Sequence, residues 1–296
     1  MGGWNWIDKT GMRFGKLVAK EYLGKKKWKC LCDCGNITIV DSDELPIHSN
    51  RRGIKSCGCN IGKLSKNNNY FSVIDDEYKA YILGFLCADG CITKTKRSYS
   101  WKIRLQKQDE DILHKIKEAV NTKTTIKYQN DIVKMPQGNL FQSETASLLV
   151  CNKQNVLDLI NYGIIPNKTH NLHFNFDCMN KSLYRHFFRG LYDGDGTFGV
   201  YKSNKSSSTQ YETMLTGYNV FLYKCKEILN EIFPDIMFRT FHAKGCTDDI
   251  YRLSTNRKSD FFCFLDWLYN DSRIYLNRKY QKYQKIKEEY IKNSND

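Results

Sequence analysis

Two kinds of hydrophobic pattern alternate along the chain from about residue 73 onward. In some segments the apolar positions recur at helical spacing, and in shorter ones apolar and polar residues alternate strictly. The clearest alternating segment puts Tyr99, Trp101, Ile103 and Leu105 on one face, and Ser100, Lys102, Arg104 and Gln106 on the other. This pattern predicts a half-buried strand with one polar face.

The predicted elements occur twice in the same order. The first series is a helix from about 77, strands over 91–94 and 99–106, a helix over 112–119, strands over 125–128 and 147–151, and a helix around 156–160. The second series is a helix over 183–193, strands over 197–202 and 211–216, a helix over 219–232, strands over 237–244 and 250–255, and a helix over 261–268. A basic helix over 275–290 follows. The recurrence predicts an α+β fold of two duplicated αββαββα subdomains, residues 73–170 (the first half) and 171–296 (the second half).

A related nonamer ends the first helix of each half, at residues 82–90 and 188–196. Small residues stand four positions apart in both copies, Gly84 with Ala88 and Gly190 with Gly194. Side chains this small let two helix backbones approach closely. We therefore expect the two helices to pack side by side, each ending on a glycine in the left-handed conformation.

Each nonamer ends in Asp-Gly, with Asp89 and Asp195 as the acidic residues. Packed helices would bring both carboxylates to the same end, where they repel one another and face the negative ends of two helix dipoles. A divalent cation between or beside them relieves this repulsion, which predicts a metal-dependent hydrolytic site. The alternative is a pair of solvent-exposed acids without a ligand.

Residues 1–60 form a separate cysteine-rich unit, and residues 61–72 are a polar linker. Four thiolates in a tetrahedron are the typical ligands of structural zinc, and so short a segment needs such a crosslink. Free thiols or a redox cluster are the alternatives, and His48 is a further candidate ligand. We expect zinc on four of the five cysteines, which are Cys30, Cys32, Cys34, Cys57 and Cys59.

The composition indicates a polyanionic partner. The chain has 46 Lys and Arg against 32 Asp and Glu, a net charge of +14, and 14% aromatic residues. Nucleic acid is the partner that such a basic, aromatic surface most often binds, although a merely soluble basic protein has a similar composition. Neither a signal peptide nor a membrane-spanning run is apparent. Unpaired cysteines fit a reducing intracellular compartment, the cytoplasm or nucleoid, with phage or organelle origin left open.

Two resemblances to known families follow from these residues. Residues 10–60, from Thr10-Gly11 to Cys57-Gly58-Cys59, resemble small zinc modules attached to phage and mobile-element DNA-binding proteins. Residues 73–296 resemble the single-chain, two-motif LAGLIDADG homing endonucleases, on the strength of both nonamers and the segments 163–169 and 274–280.

The second resemblance implies two central packed helices with saddle-shaped antiparallel sheets that sit on DNA. The motif aspartates, Asp89 and Asp195, would bind Mg²⁺ or Mn²⁺ and hydrolyse one phosphodiester in each strand, leaving short 3′ overhangs. The earlier motif position is Cys87 in one copy and Asp193 in the other, a departure that would matter little if only the last acid binds metal.

The resemblance also implies further site residues. Gln106 matches a residue near the scissile phosphate, and Thr216 is its nearest counterpart in the second half. Basic residues after the later strands would assist, namely Lys153, Arg257 and Lys258. The residues expected to contact DNA are Ser100, Lys102, Arg104, Gln106, Lys202 and Thr216.

The sequence thus predicts a site-specific double-strand DNA endonuclease, tethered by its zinc unit and acting as a monomer. An RNA-splicing maturase that binds intron RNA, or a DNA-binding regulator that does not cleave, is the alternative. Because no intein splicing sequence is apparent, we expect a free-standing or intron-encoded enzyme.

Overall fold

The computed structural model describes residues 7–45, 53–57, 69–96, 98–134, 140–202 and 208–295. The chain divides into two compact units, Met1–Leu64 and Ser65–Asp296. Each unit has a hydrophobic core of its own. No helix in the described residues is both long enough and apolar enough to cross a membrane.

The first unit is an antiparallel sheet in the order β1-β2-β3-β4. Its strands are β1 (Arg13–Phe14), β2 (Leu17–Tyr22), β3 (Lys27–Cys32) and β4 (Ile37–Asp41). Alternation along β3 buries Trp28, Cys30 and Cys32 on one face. These side chains pack with Leu17, Val40 and Leu45, which together form the small core of this unit.

The second unit contains two series of elements. The first series is α1 (Glu77–Asp89), β5 (Gly90–Lys94), β6 (Tyr99–Gln106), α2 (Glu110–Ala119), β7 (Lys127–Lys134), β8 (Leu140–Cys151) and α3 (Lys153–Asn161). The second is α4 (Tyr184–Asp195), β9 (Gly196–Lys202), β10 (Thr209–Tyr218), α5 (Asn219–Ile232), β11 (Arg239–His242), β12 (Ile250–Thr255) and α6 (Lys258–Tyr269). The helix α7 (Asn277–Asn295) follows.

The two sheets of this unit have the same topology, β5-β6-β8-β7 and β9-β10-β12-β11, and all their strand pairs are antiparallel. Their registers also correspond. Gly90 lies opposite Ile103 in the first sheet, and Gly196 lies opposite Leu215 in the second. The predicted α+β architecture with duplicated αββαββα subdomains is therefore confirmed.

Helices α1 and α4 pack against one another, as the small residues predict. A Cβ atom on Gly84 would lie 1.9 Å from the carbonyl oxygen of Phe187, and one on Gly190 would lie 2.0 Å from that of Tyr81. A Cβ on Gly194 would lie 2.3 Å from the Cβ of Ala88. Only glycine allows backbones to come this close, because any larger side chain would overlap the facing helix.

The prediction for the glycines that follow the aspartates was wrong. Gly90 and Gly196 have φ of −75° and −80° with extended ψ, so neither is left-handed. Each helix passes directly into a strand instead. A Cβ on Gly90 would lie 2.4 Å from the carbonyl oxygen of Leu86, and one on Gly196 would lie 2.5 Å from the ring of Tyr192. Steric contact with the preceding turn is therefore what favours glycine here.

Several predicted strand bounds also change. Strand β8 begins at Leu140 rather than at 147, and β7 runs on to Lys134, because the two strands pair continuously from Lys127–Ser147 to Lys134–Leu140. Backbone hydrogen bonds sustain this extension where side-chain periodicity is absent. Strand β11 is shorter than predicted, at Arg239–His242.

A buried cluster of charged residues joins α1 to α4 far from the aspartates. Nη2 of the fully buried Arg189 donates to Oε1 of Glu77 at 2.6 Å and lies 3.0 Å from Nδ1 of His186. The backbone and side chain of Arg273 also donate to Glu77. Burial would raise the pKa of Glu77, but the hydrogen bonds from Arg273 and the charge of Arg189 lower it overall.

Candidate active site

The two motif aspartates are the last residues of α1 and α4 and lie side by side. A Cβ atom on Gly194 would lie 3.2 Å from Oδ2 of Asp89, which places this carboxylate against the final turn of α4. Asp89 is half-buried, and Asp195 reaches solvent. Although part of Asp195 reaches solvent, its carboxylate loses hydration beside the packed helix ends, and this loss, and next the charge of Asp89, raise the pKa of Asp195 to about 6. The second of these causes is the one that a cation bound beside both acids would remove.

Two buried lysines flank the aspartates, one from each half. Nζ of Lys168 donates to the carbonyl oxygen of Ala88 at 2.7 Å, and Nζ of Lys279 donates to that of Tyr192 at 2.6 Å and lies 3.4 Å from that of Gly194. Both lysines thus bind carbonyls at the C-terminal ends of α1 and α4. Lys168 satisfies the carbonyl of Ala88, which the helix leaves unpaired, whereas the carbonyl of Tyr192 also accepts from the backbone N–H of Gly196.

The charges of these lysines act on both acids. Burial raises the pKa of Asp89, whereas Lys279 and Lys168 lower it. Burial lowers the pKa of Lys279 to about 8, against the opposing effect of Asp193, Asp89 and Asp195. The arrangement holds two positive charges beside two negative ones, at a place that can accept both a metal ion and a phosphate.

Sequence reasoning did not select these lysines, although the signal was present. Lys168 lies in the segment 163–169 and Lys279 in the segment 274–280, and both segments contributed to the resemblance. A basic residue in each of two matching segments is the feature that would have identified them.

The basic residues that the sequence selected lie at the starts of α3 and α6, and their part in the site stays a prediction. Lys153 begins α3, with Nζ 5.5 Å from the ring of Tyr99. The strand before Lys153, β8, ends at Cys151, which lies opposite Ser100 of β6. Ser100 in turn pairs with Thr93, toward the end of β5 that is remote from Asp89. In the second half, Lys258 begins α6 with Nζ 4.2 Å from the ring of Tyr290, and Arg257 immediately precedes it.

Gln106 and Thr216 are not structural counterparts, which corrects the predicted match. The shared register aligns Ile103 with Leu215, so Thr216 matches Arg104 and Tyr218 matches Gln106. Gln106 is exposed at the end of β6, where its Oε1 accepts a hydrogen bond from Ser143 at 3.2 Å. Thr216 lines a cavity of about 360 Å³ that Asp195 and Lys168 also line.

The polar face of β6 is present, with one exception. Lys102, Arg104 and Gln106 alternate with the buried Trp101 and Ile103. Ser100 has the same parity but is buried, with 6% of its surface exposed.

Two of the residues expected to contact DNA depart from a simple polar stripe. Arg104 pairs with Asp131 and also donates to Thr145 at 3.1 Å, so its charge is already partly offset. On β9, Lys202 lies on the same face of the sheet as the core residue Phe198. Thr216 lies on the other face, together with Met214 and its partner Thr197, so Lys202 and Thr216 lie on opposite faces.

The earlier acidic position of the second nonamer has a structural role. Asp193 is buried and accepts hydrogen bonds from the hydroxyls of Tyr81 at 2.8 Å and Tyr269 at 2.7 Å, and from the backbone of Leu276 at 2.8 Å. Cys87 is the corresponding residue in α1 and is also buried, which raises the pKa of its thiol. With its oxygens engaged in this way, Asp193 is no candidate metal ligand.

Three cysteines of the first unit converge. The Sγ atoms of Cys32, Cys34 and Cys57 all lie within 4.8 Å of one another, and those of Cys34 and Cys57 are 3.3 Å apart. Backbone hydrogen bonds from Cys34 and Cys57 lower the pKa of Cys32 to about 6, which favours the thiolate that a metal requires.

The structure removes one of the five candidate cysteines from the cluster. Cys30 and Cys32 share the core, but only Cys32 belongs to the group of converging Sγ atoms, and burial raises the pKa of the Cys30 thiol. This narrows the five candidate ligands to the other four. Cys59 and His48 are outside the described residues.

Comparison with known proteins gives structural neighbours. No protein-family model matches the chain, and neither does any curated protein. The LAGLIDADG homing endonuclease I-GzeII, solved in complex with its DNA target, has a TM-score of 0.50 and 14% identity, over 75% of this chain and 92% of that one.

Two further neighbours have lower TM-scores. The homing endonuclease I-WcaI, bound to its DNA recognition sequence, gives 0.46 with 13% identity, over 80% of this chain and 96% of that one. Variants of I-DmoI give 0.40 with 17% identity, over 65% and 94%. Because the sequence identities are this low, the comparison shows similarity of fold alone. That conclusion is drawn from I-GzeII, with its TM-score of 0.50. The chain contains the fold of the LAGLIDADG homing endonucleases.

Proposed function

We propose that the chain is a LAGLIDADG homing endonuclease, which hydrolyses one phosphodiester in each strand of a specific DNA site and leaves short 3′ overhangs. The observation that carries the proposal is the pair Asp89 and Asp195 at the ends of two packed helices, flanked by Lys168 and Lys279. A protein that only binds DNA has no need to hold two repelling acids together. The sheets beside this pair supply polar and basic faces for DNA.

The residues present fit a divalent cation. Carboxylate oxygens are the ligands that Mg²⁺ and Mn²⁺ prefer. Asp89 and Asp195 lie next to one another, and their mutual repulsion contributes to the raised pKa of Asp195. When bound, the metal would supply an activated water and offset charge on the phosphate.

The lysines have a distinct role in the proposal. Because Lys168 and Lys279 are held by helix carbonyls, their charges stay fixed beside the aspartates and need no rearrangement when phosphate arrives. Burial raises the pKa of Asp89 and of Asp195, and the charges of the two lysines oppose this rise. The lysines thereby favour the ionised carboxylates, which can bind metal. Gln106, at the C-terminal end of β6, would orient a phosphate or a water.

The first unit completes the proposal as a DNA tether, over residues 1–60 with a linker over 61–72. Cys32, Cys34 and Cys57 would hold Zn²⁺, and Cys59 is the candidate for the fourth position. The exposed Lys25, Lys26 and Lys27 offer phosphate contacts. A tether raises the effective concentration of the nuclease subdomains, 73–170 and 171–296, at their site.

A maturase that binds intron RNA, or a regulator that does not cleave, remains the second candidate, because both would keep the fold and the basic faces. Cleavage selection from a randomised duplex library with Mg²⁺ tests the proposal and reveals the site. We expect one enriched sequence cut in both strands, and no enrichment with Asp89→Asn. Protein that binds DNA or intron RNA tightly but enriches no cleaved sequence would favour the second candidate.

A further inference from the structure

A guanidinium on the polar face of β6 is held by side chains of the two strands beside it. Nε of Arg104 donates to Oγ1 of Thr145 on β8 at 3.1 Å, and Nη2 donates to Oδ2 of Asp131 on β7. Oγ1 of Thr145 lies 3.4 Å from the same carboxylate oxygen. Arg104 lies opposite Ser147, and Asp131 lies opposite Ser143. Because Ser143, Thr145 and Ser147 alternate along β8, all these side chains lie on one face of the sheet.

The two contacts leave one edge of the guanidinium unused. A guanidinium is planar and has five N–H groups, and its Nε–H and one Nη2–H point along the same edge. That edge faces Thr145 and Asp131. The adjoining edge, with Nη1–H and the second Nη2–H, has no hydrogen-bond acceptor among the residues that the structure describes. Because 39% of the Arg104 side chain is exposed, these two parallel donors are available to a ligand from solvent.

The ion pair favours a neutral ligand over a phosphate. The carboxylate of Asp131 offsets the charge of Arg104 and, since 40% of its side chain is exposed, repels an approaching phosphate. It leaves the free N–H donors in place and fixes the plane in which they lie. In the major groove of DNA, guanine presents O6 and N7 as two neighbouring acceptors without net charge, and arginine binds them with two parallel hydrogen bonds. The free edge of Arg104 matches this pair of acceptors.

We propose that Arg104, oriented by Asp131 and Thr145, binds O6 and N7 of one guanine in the half of the DNA site that the β5-β6-β8-β7 sheet contacts. Guanine is therefore the preferred base at that position. This inference rests on the proposed endonuclease function and names one base of its target. Asp131 and Thr145 are positioning residues, because they act on the guanine only through the guanidinium.

Selection by binding tests this inference independently of cleavage. The full-length protein selects duplexes from a randomised library without Mg²⁺, and dissociation constants are then measured with each of the four bases at every selected guanine. At one position, we expect wild type to bind guanine at least about tenfold more tightly than any other base, and Arg104→Gln to reduce this ratio below about threefold. The matched control is Lys102→Gln, a cation on the same face of β6, which should keep the guanine preference.

Asp131→Ala separates positioning from misfolding. Because this variant removes a negative charge from the face that contacts DNA, its affinity for duplexes of unrelated sequence should rise. Its preference for guanine should fall at the position that Arg104→Gln affects, since the guanidinium is no longer oriented. A misfolded protein would lose both affinity and preference. The pair is partly exposed and contributes little to stability, so both variants should fold.

Two results would overturn the guanine assignment. In the first, Arg104→Gln weakens binding to all duplexes equally and keeps every base preference, which is the behaviour of a phosphate contact. In the second, Arg104→Gln removes a preference for a base other than guanine. Either result leaves the endonuclease function intact, whereas wild-type protein that selects no sequence would contradict both that function and this inference.

Discussion

Protonation of His186 should destabilise the second unit below neutral pH. Nδ1 of His186 lies 3.0 Å from Nη2 of the buried Arg189, which can only donate, so the neutral imidazole accepts this hydrogen bond. Burial, and next the charge of Arg189, lower the pKa of His186 to about 4, from an ordinary 6.5. Between these two values the unfolded chain binds a proton that the folded protein does not.

The sign and the size of the effect follow from this difference in pKa. The stabilising contribution of neutral His186 is complete above about pH 6.5 and is lost progressively as the pH falls toward about 4. The full difference corresponds to about 3 kcal/mol, of which about 2 kcal/mol is lost by about pH 5. Protonation would place a third positive charge beside Arg189 and Arg273, against the single carboxylate of Glu77.

Urea unfolding of the wild-type protein and of His186→Gln measures this loss. Glutamine keeps a neutral acceptor for Arg189 but cannot take up a proton in this range. Between about pH 7.5 and about pH 5, the wild-type protein should lose about 2 kcal/mol more unfolding free energy than the variant. The exposed His114→Gln is the control and should behave like wild type. Equal losses in wild type and His186→Gln would refute the assignment.

Three further predictions concern the helix interface, the cysteines and the buried lysines. Gly190→Ala should lower the unfolding free energy by about 3 kcal/mol, since the new methyl group would lie 2.0 Å from a facing carbonyl oxygen; an unchanged urea midpoint would contradict close packing. Cys57→Ser should lose zinc in metal analysis of reduced protein while Cys30→Ser keeps it, and the reverse result would return Cys30 to the ligand set. Lys279→Gln should slow cleavage by about a hundredfold and change DNA affinity less than tenfold, so a normal cleavage rate would remove Lys279 from the site.

The sequence predicts the fold well because the same local signals occur twice. The alternation over residues 99–106 and the spacing of small residues at Gly84 and Gly190 each depend on near neighbours, and both predicted features are present. The extension of β8 to Leu140 could not be predicted in this way. It depends on pairing with β7, which side-chain periodicity does not record.

The candidate site was less predictable, because its parts come from distant segments. The position of Asp89 at a helix end follows from its own nonamer. The contact of Lys279 with the end of α4 depends instead on where α7 begins in the folded second half. Strand register, rather than motif spacing, decides that Tyr218 and not Thr216 corresponds to Gln106.

The most direct test of the whole account compares cleavage with binding in Asp89→Asn and Asp195→Asn. Each variant removes a carboxylate charge at the proposed metal site but leaves the basic faces of the sheets unchanged. With the selected duplex and Mg²⁺, we expect double-strand cleavage to disappear in both variants while DNA affinity stays within about tenfold of wild type, since phosphate contacts dominate binding. Cleavage at the wild-type rate by either variant would contradict the assignment of the two aspartates.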